Sequence, residues 1–197
     1  MIRNLTTEKK TTRFHEINTR KRKNLVKILC NRVVKNKIQK IGIGSDHRGF
    51  KLKEKLKDFL TEQDYKIIDF GVHSEDRADY PLVAFELTQH IKDVPKVKLP
   101  KLDIGILICG SGLGMAIAAN KTKGIRATLC LNPEFARRAR QHNNANILVL
   151  AADFTSFPKA KEIVKVFLSE TFLGKRHQVR VKQIKDYEIR KKLPYHE

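Results

Sequence analysis

A cysteine followed by three alternating glycines, in the stretch GILICGSGLG, is the segment of this sequence best suited to chemistry. Glycines at 110, 112 and 114 let the backbone approach a ligand, so that several N–H groups point at one anion. A helix starting after this loop adds partial positive charge, which lowers the pKa of a thiol. Cys109 is therefore a candidate base that takes a proton from a substrate. The alternative is that Cys109 is an inert core residue, as free cysteines in apolar runs usually are.

A second polar pair, Asp46 and His47, follows the first apolar run in GIGSDH. A dinucleotide-binding turn places its third glycine where His47 stands, so the sequence argues against that kind of cofactor site. Asp46 is also well placed to cap the following helix. The pair is either a local cap or an orienting, anion-binding unit, and the residues alone leave both interpretations open.

Two later segments carry side chains that can exchange a proton or bind an anion. His142 and Asn143 end a predicted helix, where a histidine is either a proton-exchanging group or an ordinary surface cap. Arg176 and Arg180 are four residues apart and share one helix face. This spacing suits a forked grip on a phosphate, although arginines on a solvated helix face are also common.

From residue 40 onwards, apolar runs of strand length alternate with stretches of helical periodicity. The predicted strands are KIGIGSD, YKIIDFG, IGILICG, IRATLCL and ANILVLA, and a charged helix, RHQVRVKQIKDYEIRKK, comes last. Five such units predict an α/β fold, a three-layer α/β/α sandwich around a parallel, Rossmann-like sheet of order 2-1-3-4-5. Ligands bind beyond the carboxyl ends of the strands in such sheets, where the polar pair and Cys109 lie.

The charge of the chain is high and unevenly distributed. The formal net charge is +20, and residues 1–40 carry thirteen Lys and Arg residues against two Glu residues, a net +11. We divide the chain into a basic extension at 1–38, flexible or partly helical, a folded domain at 39–192 and a tail at 193–197. The extension is an RNA-binding arm, a membrane-surface helix, an organelle-targeting leader or simply a tolerated addition.

Composition argues against several classes of protein. No window approaches the roughly 20 consecutive apolar residues of a transmembrane helix, and no apolar run near the start resembles a secretory signal. The cysteines Cys30, Cys109 and Cys130 form no CxxC pair, which disfavours a zinc ribbon or a disulfide framework. We therefore expect a cytoplasmic protein, with organelle targeting by the basic N-terminus as the alternative.

In chain order, five stretches resemble the ribose-5-phosphate isomerase type B family, which also includes the galactose-6-phosphate isomerase subunits. They are GSDHRGFKLKEKL, DFGVHSEDRADYP, GILICGSGLGMAIAANKTKGIRA, ARRARQHNNANILVL and GKRHQVRV. The resemblance covers residues 40–185 and leaves out the basic extension. Its most specific part is the combination of the Cys-Gly-Ser-Gly turn with QHN and RHQVR.

The resemblance implies an aldose–ketose isomerase, without metal or cofactor, that interconverts D-ribose 5-phosphate and D-ribulose 5-phosphate in the pentose phosphate pathway. Cys109 matches the base that moves a proton between C2 and C1 through an enediolate. Ser111 matches a contact to the reacting end of the sugar, and His142 matches the histidine that opens the furanose ring. The implied substrate-binding residues are Asp46, His47, Tyr80, Gly110, Gly112, Gly114, Asn143, Arg176 and Arg180.

The resemblance also implies an assembly. Members form homodimers or dimers of dimers whose sites take residues from both subunits, so we expect the C-terminal helix to pack on a partner subunit. Neither membrane nor nucleic acid is an expected partner of the folded domain, although residues 1–38 leave nucleic acid open.

One position departs from the family pattern. After the fifth strand the family often has Gly-x-Arg, whose arginine helps to bind phosphate, whereas this chain has Asp153 in LAADFT. Three explanations remain open: the other phosphate-binding residues suffice, the substrate differs, or a basic group such as Arg138 or Lys159 takes over. The alternative substrate is a hexose 6-phosphate of the galactose, tagatose or allose type. The alternative of another class is a basic RNA-binding protein on an isomerase fold.

Overall fold

The structure, a computed structural model, describes residues 40–91, 99 and 101–189. The chain divides into two units, Met1–Ile38 and Gln39–Glu197. The predicted basic extension and the tail at 193–197 lie outside the described residues, so what we predict for them stays a prediction. Within the described part of the chain, no helix is long and apolar enough to cross a membrane.

The elements of the second unit alternate as the sequence predicts. The strands are β1 (Lys40–Ser45), β2 (Lys66–Asp69), β3 (Ile104–Cys109), β4 (Ala127–Leu129) and β5 (Ile147–Ala151). The helices are α1 (Phe50–Thr61), α2 (Tyr80–Gln89), α3 (Leu113–Ala119), α4 (Pro133–Asn143), α5 (Phe157–Ser169) and α6 (Arg176–Glu188), with a 3₁₀ turn at Ala152–Phe154. All neighbouring strands are parallel, which confirms the predicted α/β fold class.

The strand order is β2-β1-β3-β5-β4, so the order that we predicted for the last two strands is wrong. Strand β5, with the sequence ILVLA, is buried along its whole length and pairs with β3 from Gly105 to Cys109. Strand β4 has only three residues, each partly exposed, and it pairs with β5 alone. The longer apolar strand thus takes the interior position, where both faces are covered, and the short one forms the edge.

Side chains of β3 alternate between two apolar cores, one on each face of the sheet. Ile106 and Ile108 join the core formed with α1 and α5, which contains Leu56 and Phe167. Cys109 joins the core on the other face, with Met115 of α3 and residues of α2. The thiol of Cys109 therefore lies on the α2–α3 side of the sheet, at the carboxyl end of a central strand.

Candidate active site

The loop after β3 wraps its backbone around the sulfur of Cys109. The Gly112 N–H donates a hydrogen bond to Cys109 Sγ at 3.2 Å, and the cysteine is only 4% exposed. Gly112 has a φ of 76°, in the left-handed region, and a side chain there would run into Leu129. Glycine is therefore required at 112 for the turn that aims the N–H at the sulfur.

The environment of Cys109 raises the pKa of its thiol above the ordinary value of 9.0. Burial is the largest cause, and the negative charge of Asp46 acts in the same direction. Backbone N–H groups of Met115, Gly112 and Ser111 work against it by stabilising the thiolate, but burial outweighs them. The N–H groups at the start of α3 therefore lower this pKa, as we expected, but they do not bring it below the ordinary value because the sulfur is deeply buried.

We expect the thiolate-dependent reactivity of Cys109 to keep rising beyond pH 9. A raised pKa means that the neutral thiol persists to higher pH, so the thiolate fraction grows about tenfold per pH unit across the neutral range. Carbamidomethylation by iodoacetamide, followed residue by residue by mass spectrometry, measures this rate. Cys130 serves as the internal control, since burial raises its pKa to about 12 and its labelling should stay negligible. A labelling rate at Cys109 that levels off below pH 8 contradicts the prediction.

Asp46 and His47 lie in the turn beside this loop. The Asp46 N–H donates to the carbonyl of Ile108, which places the aspartate next to Cys109. Its Oδ1 accepts a 3.0 Å hydrogen bond from the Gly49 N–H, so the carboxylate closes the turn before α1, whose N-cap residue is Gly49. His47 Nδ1 accepts a hydrogen bond from the Ala78 N–H at 3.3 Å. That contact places the ring proton of a neutral His47 on Nε2, which is then a donor for a ligand.

Tyr80 and Ser111 complete the group of predicted residues that the fold brings together. Tyr80 begins α2 and packs on Gly114, where an added Cβ would lie 2.6 Å from its Cζ atom. Ser111 is exposed, and its Oγ accepts a hydrogen bond from the Leu113 N–H at 3.4 Å. We call this group the Cys109 cluster; its members are Asp46, His47, Tyr80 and the loop Cys109–Gly114.

A buried lysine that the sequence analysis did not single out supports this cluster from behind. Lys53 is 0% exposed, and its Nζ donates to both oxygens of Asp69 at 2.8 Å and to the Val72 carbonyl at 2.7 Å. Asp69 and Val72 begin the segment that continues to Ala78, whose N–H contacts His47, and to Tyr80. In KLKEKLK this lysine looks like any surface lysine, and only the distant partner at the end of β2 explains its burial.

We expect Lys53→Met to lower the free energy of unfolding by about 3 kcal/mol, because it removes the buried partner of a carboxylate. Lys57→Met is the matched control: Lys57 also contacts Asp69, at 2.6 Å, but it is partly exposed, so its loss should cost less than about 1 kcal/mol. Urea denaturation at pH 7 measures both. Equal losses for the two variants contradict the burial argument.

Asp69 should also make the fold sensitive to acid. Burial pushes the pKa of Asp69 upward, but hydrogen bonds from Lys53 and Lys57 outweigh it and hold that pKa below 3.8. The stabilisation is therefore fully present above pH 3.8 and is lost as the pH falls through the lower, folded-state pKa.

A second group of predicted residues forms around His142. The rings of His142 and His177 stack with centroids 4.2 Å apart. Burial lowers the pKa of His177, and the charges of His142, Arg176 and Arg180 lower it further. Asn143 is exposed at the end of α4. We call His142, Asn143, His177, Arg176 and Arg180 the His142 cluster; His177 was missed from the sequence, although it lies inside RHQVR.

Within one chain, the two clusters lie at opposite ends of the parallel strands. Strand β3 pairs with β5 from Gly105, opposite Ile147, to Cys109, opposite Ala151, a span of about 13 Å at 3.3 Å per residue. His142 comes just before the amino end of β5, whereas Cys109 lies at the carboxyl end of β3. Among the described residues, no hydrogen bond, ion pair or ring contact joins one cluster to the other.

The carboxylate at 153 is paired, but with a residue that we did not anticipate. Arg48 Nη2 contacts Asp153 Oδ2 at 2.7 Å. Arg138 is instead paired with Glu134 on its own helix, at 2.9 Å, and Lys159 is exposed on α5. Arg48 therefore compensates the charge of Asp153.

No set of three His, Cys, Asp or Glu side chains in the described part of the chain is arranged to hold a metal ion. The group that the fold does assemble is a buried thiol within a ring of backbone N–H donors. Such a group holds an anion and exchanges a proton with it.

Comparison with known proteins decides the family. The model of the ribose/galactose isomerase family matches residues 41–184. The chain belongs to the ribose/galactose isomerase family. It is 40% identical over 154 residues to ribose-5-phosphate isomerase B of Escherichia coli, covering 78% of this chain and 99% of that relative.

Solved structures of family members share the fold. Ribose-5-phosphate isomerase B of Clostridium thermocellum superposes with a TM-score of 0.71 at 44% identity, covering 76% of this chain and 97% of that one. The Mycoplasma genitalium enzyme, solved with bound ribulose-5-phosphate, gives a TM-score of 0.68 at 37% identity, covering 77% and 97%. Family membership makes this chain an aldose–ketose isomerase.

Proposed function

We propose that this chain interconverts D-ribose 5-phosphate and D-ribulose 5-phosphate. The observation that supports this most directly is the loop around Cys109, in which the Gly112 N–H lies 3.2 Å from the sulfur. Relatives that match this chain over almost their whole length are named ribose-5-phosphate isomerase B. One of them was solved with bound ribulose-5-phosphate.

The chemistry requires a base and an oxyanion site at one place. The thiolate of Cys109 removes the proton from C2 of the open-chain aldose, and the electron pair moves to form an enediolate. The backbone N–H groups of the glycine loop stabilise the negative charge on oxygen. The hydroxyl proton of O2 is transferred to O1, and Cys109 returns the abstracted proton to C1, which yields the ketose with no change in composition. Ser111 contacts the reacting end of the sugar, and Asp46, His47 and Tyr80 orient it.

His142 performs ring opening in this proposal, with Asn143 beside it, while Arg176 and Arg180 bind the phosphate. A histidine suits ring opening because it exchanges protons near neutral pH. Since His142 and Cys109 lie at opposite ends of the strands within one chain, one active site takes its thiol from one subunit and its histidine from another. We therefore propose a homodimer, or a dimer of dimers, with shared sites.

Apolar side chains on the surface support such an assembly. Helices α2 and α3 pack side by side, and they expose Leu82, Phe85, Leu113 and Ile117. Leu113 directly follows the glycine loop, so a partner that covers this face comes close to the Cys109 cluster. Helix α6 also exposes Val179, Ile184 and Tyr187, in keeping with the proposed packing of the C-terminal helix on a partner.

Turnover across a panel of phosphorylated aldoses tests the proposed substrate. Ribose 5-phosphate, allose 6-phosphate and galactose 6-phosphate are compared by kcat/KM, and ribose 5-phosphate should give the largest value. A larger value for a six-carbon sugar phosphate replaces the substrate while keeping the reaction type. The absence of isomerisation on all three contradicts the proposal.

The charge of residues 1–40, a net +11, favours anionic partners in general and leaves nucleic acid open as a second ligand of the chain. If the extension binds RNA, affinity falls steeply with ionic strength and disappears when residues 1–38 are deleted. Isomerase activity should survive that deletion. A full-length chain that binds no RNA at low salt removes this second function.

A further inference from the structure

The ion pair between Arg48 and Asp153 lies over Gly110, the first glycine of the loop Cys109–Gly114. Arg48 comes from the turn after β1, and Asp153 comes from the turn after β5, on the other side of β3. Their side chains meet at Gly110: an added Cβ on that residue would lie 2.6 Å from Arg48 Nε and 2.7 Å from Asp153 Oδ2. The pair therefore lies at the rim of the Cys109 cluster, with 59% of the arginine and 32% of the aspartate side chain exposed.

The backbone holds Asp153 beside the loop. The Asp153 N–H donates a hydrogen bond to the Gly110 carbonyl at 3.1 Å, so the main chain of the aspartate stays next to Gly110 and its carboxylate remains near the loop. An unpaired carboxylate held there repels any anion that approaches the glycine N–H groups. The 2.7 Å contact with Arg48 removes most of that repulsion at its source.

We propose that Arg48 is a positioning and specificity-determining residue that neutralises Asp153, so that the rim of the site accepts a phosphorylated sugar. This inference rests on the proposed function of the site, and it assigns a role to two residues 105 positions apart in the chain. It places the effect of Arg48 on substrate capture and not on the proton transfer at Cys109.

A double-mutant cycle tests the pair. Arg48→Gln should raise the KM for ribose 5-phosphate about tenfold at low ionic strength, with kcat within about threefold of wild type, and added salt should shrink the effect. Asp153→Asn should leave KM equal to or below the wild-type value. In the double variant R48Q/D153N, the KM should return to within about threefold of wild type, because the charge to be neutralised is gone.

Lys51→Gln is the matched control. Lys51 lies three residues from Arg48 and pairs with Glu75 at 2.8 Å, so the variant removes one exposed, paired cation from the same region. Its KM should stay close to wild type. Melting temperatures within about 3 °C of wild type verify that the variants are folded, since exposed ion pairs contribute little to stability.

Several outcomes overturn the inference. A double variant that keeps the full KM defect shows that Arg48 acts on the substrate independently of Asp153. A rise in KM for Asp153→Asn shows that the carboxylate itself contributes to substrate binding. An equal defect in Lys51→Gln assigns the effect to the general field of the protein. An unchanged KM in Arg48→Gln also overturns it.

Binding of inorganic phosphate, measured by calorimetry with the same proteins, separates this inference from the proposed function. If the wild-type chain isomerises none of the sugar phosphates, the proposed function is contradicted. The double-mutant cycle is then evaluated from the dissociation constants of inorganic phosphate. Weakening in Arg48→Gln and recovery in the double variant then still support the pair. No detectable phosphate binding by the inactive wild type overturns the inference as well.

Discussion

Cys109→Ala is expected to lower kcat for ribose 5-phosphate by roughly 10³-fold, since a positioned base contributes about 10²–10⁴-fold to a proton transfer. The variant loses only a sulfur atom within the loop, so KM should change little. Cys109→Ser should be comparably inactive. Its hydroxyl can occupy the place of the sulfur and accept the Gly112 hydrogen bond, but it ionises at far higher pH than a thiol.

Cys130→Ala is the control for this experiment. It makes the same chemical change at another buried cysteine, which directly follows β4 and belongs to the core on the opposite face of the sheet, with its sulfur 3.6 Å from the Thr128 carbonyl oxygen. Its kcat should remain within about threefold of wild type, with a modest loss of stability from the small cavity. Progress curves and thermal unfolding on the three variants give both quantities. A Cys109→Ala variant within tenfold of wild-type kcat means that another group is the base.

Much of the Cys109 cluster could be predicted because its signals are local. An apolar run ending in a cysteine, followed by glycines and a helix, specifies a strand–turn–helix unit. In a parallel sheet, that unit places the cysteine at the carboxyl edge. The neighbouring turn with Asp46 and His47 follows from the same rule, because β1 pairs with β3.

Other features depend on opposing energetic effects and on contacts between residues far apart in the chain, which no local sequence pattern shows. The pKa of Cys109 depends on how far burial outweighs the helix N-terminus, which needs the packed structure. The contact between Arg48 and Asp153 joins residues at the ends of two strands that are not adjacent, and it follows only once β5 is known to lie beside β3. The same strand order was the part of the fold that we predicted wrongly, since β4 and β5 are both apolar.

The separation of the two clusters leads to the second large effect, restoration of activity by mixing two inactive variants. Cys109→Ala removes the base, and His142→Asn removes the group proposed to open the ring; each homodimer should be nearly inactive. In a heterodimer with shared sites, one site carries both lesions and the other carries neither. Random assortment from equal amounts should therefore restore about a quarter of wild-type activity.

Two differently tagged subunits make the measurement sharper. Co-expression and successive affinity steps isolate the heterodimer, which should have about half the activity of the wild-type dimer because one of its two sites is intact. The control pairs Cys109→Ala with Cys109→Ser, whose lesions fall in the same cluster, so neither site is restored. If the Cys109→Ala and His142→Asn heterodimer is as inactive as this control, the thiol and the histidine of each active site come from the same subunit. Within one chain the strands hold them at opposite ends, and that arrangement is why we expect restoration.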